Sequence, residues 1–208
     1  MEVRAALVFC TERDDREHTV AMASLTPVRE LVSAEDPVPA TMTVDQYLST
    51  MFHPDCDFVD GRIEERNVGE YSHSVVQKML LRIFMQHEAK WSVEVLPECR
   101  TQVAETRFRV PDVLVLRANH RVHRIVREAP LICMEVVSPE DTWKHIREVL
   151  SDFLAMGVEH NWVFDPETRM AHRFDADGLH GVKEEELGVP GTAIRVNVAE
   201  VFSLLPKG

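Results

Sequence analysis

The sequence predicts an α/β domain of the α+β kind, with a central mixed β-sheet flanked by helices. Three observations predict it. Apolar, β-forming runs cluster at about 92–96, 99–103, 107–116 and 131–137. A stretch with apolar residues at helical spacing lies on each side of that cluster. A strand–turn–strand signal over 160–174 follows the second helix, and no internal repeat or low-complexity segment interrupts the order.

Taken along the chain, residues 1–41 read as an appendage. They carry scattered charges, the breakers Pro27, Pro37 and Pro39, and no sustained period. Met22 or Met42 offers an internal start, which N-terminal sequencing of the natural product would decide. Residues 42–208 read as one domain. Thr43 to Leu48 suggests a short capped helix. Phe58 to Ile63 is a hairpin signal with Asp60-Gly61 in the turn. A helix from about Ser72 to Gln86 places Val76, Met79, Leu80, Ile83 and Phe84 on one face, with His73 on or beside it. In the second helix Ser138 is the expected N-cap, Pro139 the first helical residue and Asp141 the partner of a capping box. Ile146, Val149, Leu150 and Phe153 form its buried stripe, and Gly157 ends it. His160–Phe164 is a strand, Asp165–Thr168 a turn and Met170–Phe174 the return strand.

Composition narrows the function classes. The 208 residues suit a single domain with a real core, and 45% hydrophobic with 28% charged residues is ordinary for a globular protein. Cys10, Cys56, Cys99 and Cys133 have no paired spacing, which argues against a zinc site or disulfide framework and favours the reducing cytoplasm. No apolar run reaches membrane-spanning length, so no membrane association is expected. The net charge of −12 argues against a generic polyanion binder. Its distribution is uneven, however. From Arg100 to Arg127 seven arginines face only Glu105 and Asp112, a local balance of +5. This stretch is either a phosphate-contacting surface or a set of solvated loop residues. His120 and His123 lie between its arginines without a nearby acid or cysteine, which gives a metal site there little support. Glu184-Glu185-Glu186 reads as a solvated turn. No phosphate-binding glycine loop or nucleophile elbow occurs, so neither a nucleotide cofactor nor serine-based acyl transfer is supported.

The chemistry centres on Asp112 and Glu135. Each carboxylate interrupts an apolar strand run, where it carries a large desolvation cost unless a cation, a proton or hydrogen bonds offset it. Two such acids on neighbouring strands suit a hard divalent ion, Mg²⁺ or Mn²⁺. The alternative is that one caps a loop and the other pairs with Arg107 or Arg109.

A set of motifs carries a resemblance. These are Val59-Asp60-Gly61, Glu65-Arg66-Asn67, Gly69-Glu70 with His73, Arg107 to Val113, Glu135 to Asp141, Ala155 to Val158 and Trp162 to Pro166. In order and spacing they resemble the Uma-two family of putative restriction endonuclease domains, a branch of the PD-(D/E)XK nuclease superfamily, over roughly 42–205. The resemblance implies a restriction-endonuclease-like core and metal-dependent hydrolysis of DNA. It implies a metal held by Asp112, Glu135 and the Val136 carbonyl, with Glu70 as a further ligand and Glu65 as second choice. His73 would orient a water or touch the phosphate, or else be a structural histidine. Arg109, Arg121, Arg124 and Arg127 would contact nucleic acid, and a homodimer would suit cutting two strands.

One departure stands out against that pattern. Val137 and Val149 occupy the two positions where the resemblance leads one to expect Lys, so slow chemistry is expected. His145 lies roughly 40° from Val149 around the helix, whereas Arg147 lies roughly 160° away. Lys144 has a long stem and starts in the first turn. Lys144 and His145 are therefore the expected catalytic substitutes. The alternatives are a catalytically weak or inactive relative that binds nucleic acid or a protein partner, and a non-nuclease metal hydrolase.

Overall fold

The computed structural model describes residues 30–32, 41–67 and 69–206. The expected appendage lies outside these residues except for Thr41 and strand β1 (Glu30–Val32), which runs parallel to β2 (Thr50–Phe52). Helix α1 (Val44–Ser49) starts as its sequence predicts. Thr43 accepts from the Gln46 N–H while the Gln46 side chain accepts from the Thr43 N–H, which satisfies two otherwise orphaned donors.

The hairpin β3 (Asp57–Val59) and β4 (Arg62–Glu64) turns at Asp60-Gly61, with φ of 49° and 91°. Two consecutive positive φ values match the twist of a two-residue hairpin loop, and Asp-Gly is a pair that tolerates them. Helix α2 (Tyr71–Met85) buries Val75, Val76, Met79, Leu80, Ile83 and Phe84. A four-residue helix α3 (Glu88–Trp91) then leads into β5 (Val93–Pro97) and β6 (Thr101–Ala104).

The run 107–116, expected as one strand, is two: β7 (Arg107–Arg109) and β8 (Val113–Arg117). Pro111 has no N–H for a ladder, so the chain leaves one sheet before it and joins another after it. Strand β7 pairs with β3 and β6, whereas β8 pairs with β5 and with β9 (Ile132–Val136).

Helix α4 (Trp143–Met156) begins later than the sequence suggests. Its N-cap is Thr142, whose side chain accepts from the His145 N–H at 3.2 Å. Ser138 and Asp141 form a separate turn, with the Ser138 N–H donating to Asp141 Oδ2 at 2.8 Å. Two cap-forming residues compete in this stretch, and the tie from Ser138 to Asp141 leaves Thr142 to start the helix. The helix ends at Gly157 as expected. Then come β10 (His160–Asp165), β11 (Met170–Asp175), β12 (Gly178–Gly181), β13 (Glu186–Gly188), β14 (Arg195–Asn197) and the short α5 (Val198–Val201).

The main sheet runs β12-β11-β10-β9-β8-β5, with β9 and β10 parallel and the other pairs antiparallel. It is therefore the expected mixed sheet. Side chains alternate across it. Val113, Val115, Ile132 and Met134 pack with α2 in one core, and Leu114 and Cys133 pack beneath Ile146, Leu150 and Phe153 of α4 in the other. A smaller sheet, β4-β3-β7-β6, covers an aromatic cluster of Tyr47, Phe52, Phe58 and Phe108. No helix among the described residues is long and apolar enough to cross a membrane.

Candidate active site

Strand register brings the two carboxylates together. Val113 lies opposite Met134 in the antiparallel β8–β9 pair, so Asp112 and Glu135 fall on the next rung. They share the α4 face with Leu114 and Cys133, because residues two apart on a strand point the same way. Both line a cavity of about 290 Å³ at this end of the sheet. Val136 lines it from β9, Ser138 from the turn that follows and His145 and Val149 from α4, while Glu65, Arg66 and Asn67 line it from the connection between β4 and α2.

Asp112 is buried, and both of its oxygens are taken. Arg66 Nη2 donates to Oδ1 at 2.8 Å, while the Val136 N–H donates to Oδ2 at 2.8 Å. His73 Nε2 lies 3.1 Å from the same Oδ2. Burial alone would raise the Asp112 pKa, but the bond and charge of His73, the Arg66 guanidinium and the Val136 N–H outweigh it and hold it below the usual range. An ionised carboxylate can only accept, so His73 Nε2 carries the proton in this bond. Burial works against a charged His73 ring, yet the Asp112 bond and charge prevail and raise its pKa. His73 Nδ1 is buried without a hydrogen-bond partner. Gly69 makes the room: a Cβ there would lie 2.5 Å from Nδ1.

Glu135 is different. Among the described residues its carboxylate has no hydrogen-bond or ion-pair partner. Burial, and then the charge of Asp112 beside it, push its pKa well above the ordinary carboxylate range, with Arg66 opposing. The hydrogen bonds of Arg66 and His73 both go to Asp112, which leaves the Glu135 charge unmatched and the pair open to a further positive charge. The donor set fits a hard divalent ion, because Mg²⁺ commonly takes one or two carboxylates and completes its shell with water and substrate oxygens. No three Asp, Glu, His or Cys side chains among the described residues converge on one metal position.

The other expected residues are dispersed. Glu70 is exposed at the N-cap of α2 and does not line the cavity, whereas Glu65 does. His145 lines the cavity, but Lys144 is 84% exposed and faces Glu148 at 3.6 Å. Val149 stands in the cavity wall, and Val137 packs against the α4-side core. Neither Arg107 nor Arg109 pairs with Asp112.

Arg109, expected at a nucleic-acid surface, is instead buried. It donates to Asp152 Oδ2 at 2.8 Å, Asp57 Oδ2 at 3.0 Å and Glu64 Oε2 at 2.7 Å. Arg121, Arg124 and Arg127 lie in the loop that leaves β8 at the end away from Asp112. Arg121 pairs with Glu128 at 3.7 Å, Arg124 donates to the Leu48 carbonyl, and Arg127 donates to Gln102. His120, seen in the sequence without an acid, lies 3.4 Å from Glu94. Arg66 and Asn67 carried no assigned role in the sequence reading, although both lie in the motif that carries the resemblance. Asn67 donates to Asp141 Oδ1 at 2.7 Å and so fastens the β4–α2 connection to the turn before α4.

Comparison with known proteins bears on both family and fold. A family model described as Uma2, putative restriction endonuclease, matches residues 45–203. The fold is similar to a crystal structure described as a putative nuclease belonging to DUF820 from Anabaena variabilis. The TM-score is 0.68 at 19% sequence identity, covering 78% of this chain and 98% of that one. At that identity the likeness speaks for the fold. No curated protein matches the sequence.

Proposed function

Because the chain belongs to the Uma2 family of putative restriction endonucleases, we propose that it is a metal-dependent endonuclease hydrolysing phosphodiester bonds in DNA. One observation carries the reading. Asp112 and Glu135 face a single cavity from the same end of the β8–β9 pair, and the Glu135 carboxylate has no hydrogen-bond or ion-pair partner among the described residues. The description of the structural neighbour as a putative nuclease supports it.

Asp112 and Glu135 would hold the ion, Mg²⁺ or Mn²⁺, with the Val136 carbonyl beside them and Glu65 at the rim. Such an ion lowers the pKa of a bound water and stabilises charge on a phosphate. The protein's own part begins with Asp112, which the Val136 N–H and His73 hold in one orientation. That makes His73 a positioning residue. His145, in the first turn of α4, lines the cavity and would take or give a proton there. The loop carrying Arg121, Arg124 and Arg127 would bind the nucleic-acid backbone away from the carboxylates.

A second reading, a weak or inactive relative that binds nucleic acid or a protein partner, is favoured by Val149 in the cavity wall and by Lys144 facing Glu148. Plasmid nicking separates the two. Cleavage in Mg²⁺ or Mn²⁺ that stops with EDTA and is lost in Asp112→Ala and Glu135→Ala is the expected result. Plasmid that stays intact under both metals would discard the nuclease in favour of the binding protein.

A further inference from the structure

We propose that Arg66 is a resident counter-cation of the Asp112–Glu135 pair, which a divalent ion must displace from Asp112 Oδ1 in order to bind. The inference rests on the metal-site reading above.

The geometry leads there in three steps. First, Arg66 is the one Arg or Lys among the residues lining the cavity; the two other groups there able to carry positive charge are His73 and His145. Its side chain is 18% exposed, and its only hydrogen bond among the described residues is the one to Asp112 Oδ1 at 2.8 Å. Guanidinium has five N–H donors in a planar fork, so most of them are left uncommitted.

Second, the other Asp112 oxygen is already closed. Oδ2 accepts from the Val136 N–H and from His73 Nε2, both fixed by regular elements. An ion approaching Asp112 therefore has Oδ1 as its opening, and Oδ1 is where Arg66 sits. A guanidinium and a divalent ion on one carboxylate oxygen repel each other at close range in a partly desolvated cavity.

Third, Arg66 comes from a connection and not from a strand or helix. It lies between β4 and α2, two residues after β4 ends at Glu64. Among the described residues, the ties beside it are the side-chain bond from Asn67 to Asp141 and the start of α2. Its long side chain can leave Asp112 without breaking sheet or helix. Its free donors would then face the cavity, where a phosphate oxygen of a substrate is the acceptor they fit.

The consequence runs against the usual result of deleting a charge at a site. Removing Arg66 should make a divalent ion bind more tightly. The test is Mn²⁺ binding to the full chain by titration calorimetry, with the fold of each variant checked by circular dichroism. Arg66→Ala and Arg66→Gln should bind Mn²⁺ about tenfold more tightly than the wild type, the scale of a lost competing ion pair. Arg66→Lys keeps the charge and should stay within about twofold of the wild type. The Gln variant covers the case in which Ala does not fold.

Unchanged or weaker Mn²⁺ binding in Ala and Gln would overturn the proposal while leaving the metal site standing. Tighter binding in Lys as well would overturn it too, because charge could not be the cause. No Mn²⁺ binding to wild type or any variant would remove the metal site itself, and with it this inference.

Discussion

Two clusters of buried charge lie on either side of Pro111, and they are built in opposite ways. Before it, Arg109 is a central cation. Three carboxylates, from β3, β4 and α4, converge on it, and the remaining Asp57 oxygen accepts from the Val110 N–H. After it, the carboxylates are central. Asp112 is saturated by Arg66, His73 and Val136, and Glu135 is left with no donor among the described residues. The first cluster is complete within the protein and fastens the small sheet to α4. The second leaves the Glu135 carboxylate unmatched among the described residues. A buried charge with every hydrogen bond made is scaffold, whereas one left unmatched beside a cavity is where a ligand belongs.

The largest expected effect tests the scaffold half. Arg109→Ala leaves Asp57 buried without its cation and should cost about 3–5 kcal/mol of stability, as removal of one partner of a buried pair does. Arg107, which is 40% exposed in its pairs with Asp60 and Asp152, should cost no more than about 1 kcal/mol when replaced by Ala. Urea unfolding of both variants decides it. Similar losses would mean that the Arg109 cluster is not a special anchor.

A smaller loss is expected on the cavity side. Gly69→Ala places a Cβ 2.5 Å from His73 Nδ1 and 3.1 Å from two further ring atoms. The ring must turn, and its bond to Asp112 Oδ2 must weaken. A cost of about 1–3 kcal/mol is expected, the range for overpacking. The sharper readout is the His73 ring by NMR titration, where losing the Asp112 bond should move its pKa back toward the ordinary imidazole value. An unmoved titration would mean that backbone shifts absorb the added methyl.

The two clusters were unequally legible in the sequence. Asp112 and Glu135 stood out because carboxylates inside apolar strand runs are costly, and local composition alone reports that. Pro111 marks the break between β7 and β8, but the apolar run continues across it and hides the change of sheet. Arg66 was not readable as a partner, because it pairs with a residue 46 positions away across an irregular connection. The basic stretch misled for the same reason. Arg100, Arg107 and Arg109 meet Asp55, Asp60, Asp57, Glu64 and Asp152, acids that lie 43 to 52 positions away in the chain. The +5 counted along the sequence is largely cancelled in space. Helix starts show a milder form: Ser138 and Thr142 can both cap, and only the Asp141 tie to the Ser138 N–H chooses between them.

The smallest expected effect has the opposite sign, and it bears most directly on the contrast. Glu135→Gln removes an unmatched negative charge beside Asp112 and keeps nearly the same shape. Without metal it should stabilise the protein by about 1 kcal/mol, the gain often seen when a functional residue at odds with its surroundings is replaced. The pH dependence follows from the raised Glu135 pKa. Below the unfolded value of about 4.3 both folded and unfolded Glu135 are protonated, and Gln should offer no advantage. As pH rises, the unfolded carboxyl ionises first while the folded one resists. The advantage of Gln therefore grows with pH and levels off above the raised folded value. Added Mn²⁺ should reverse the order, because the ion stabilises only the chain that binds it. Thermal melts of both proteins from acidic to neutral pH, with and without Mn²⁺, test each part. A Glu135→Gln variant less stable than wild type in EDTA at neutral pH would mean that Glu135 has a partner after all, and the contrast between a saturated and an unsaturated cluster would fail.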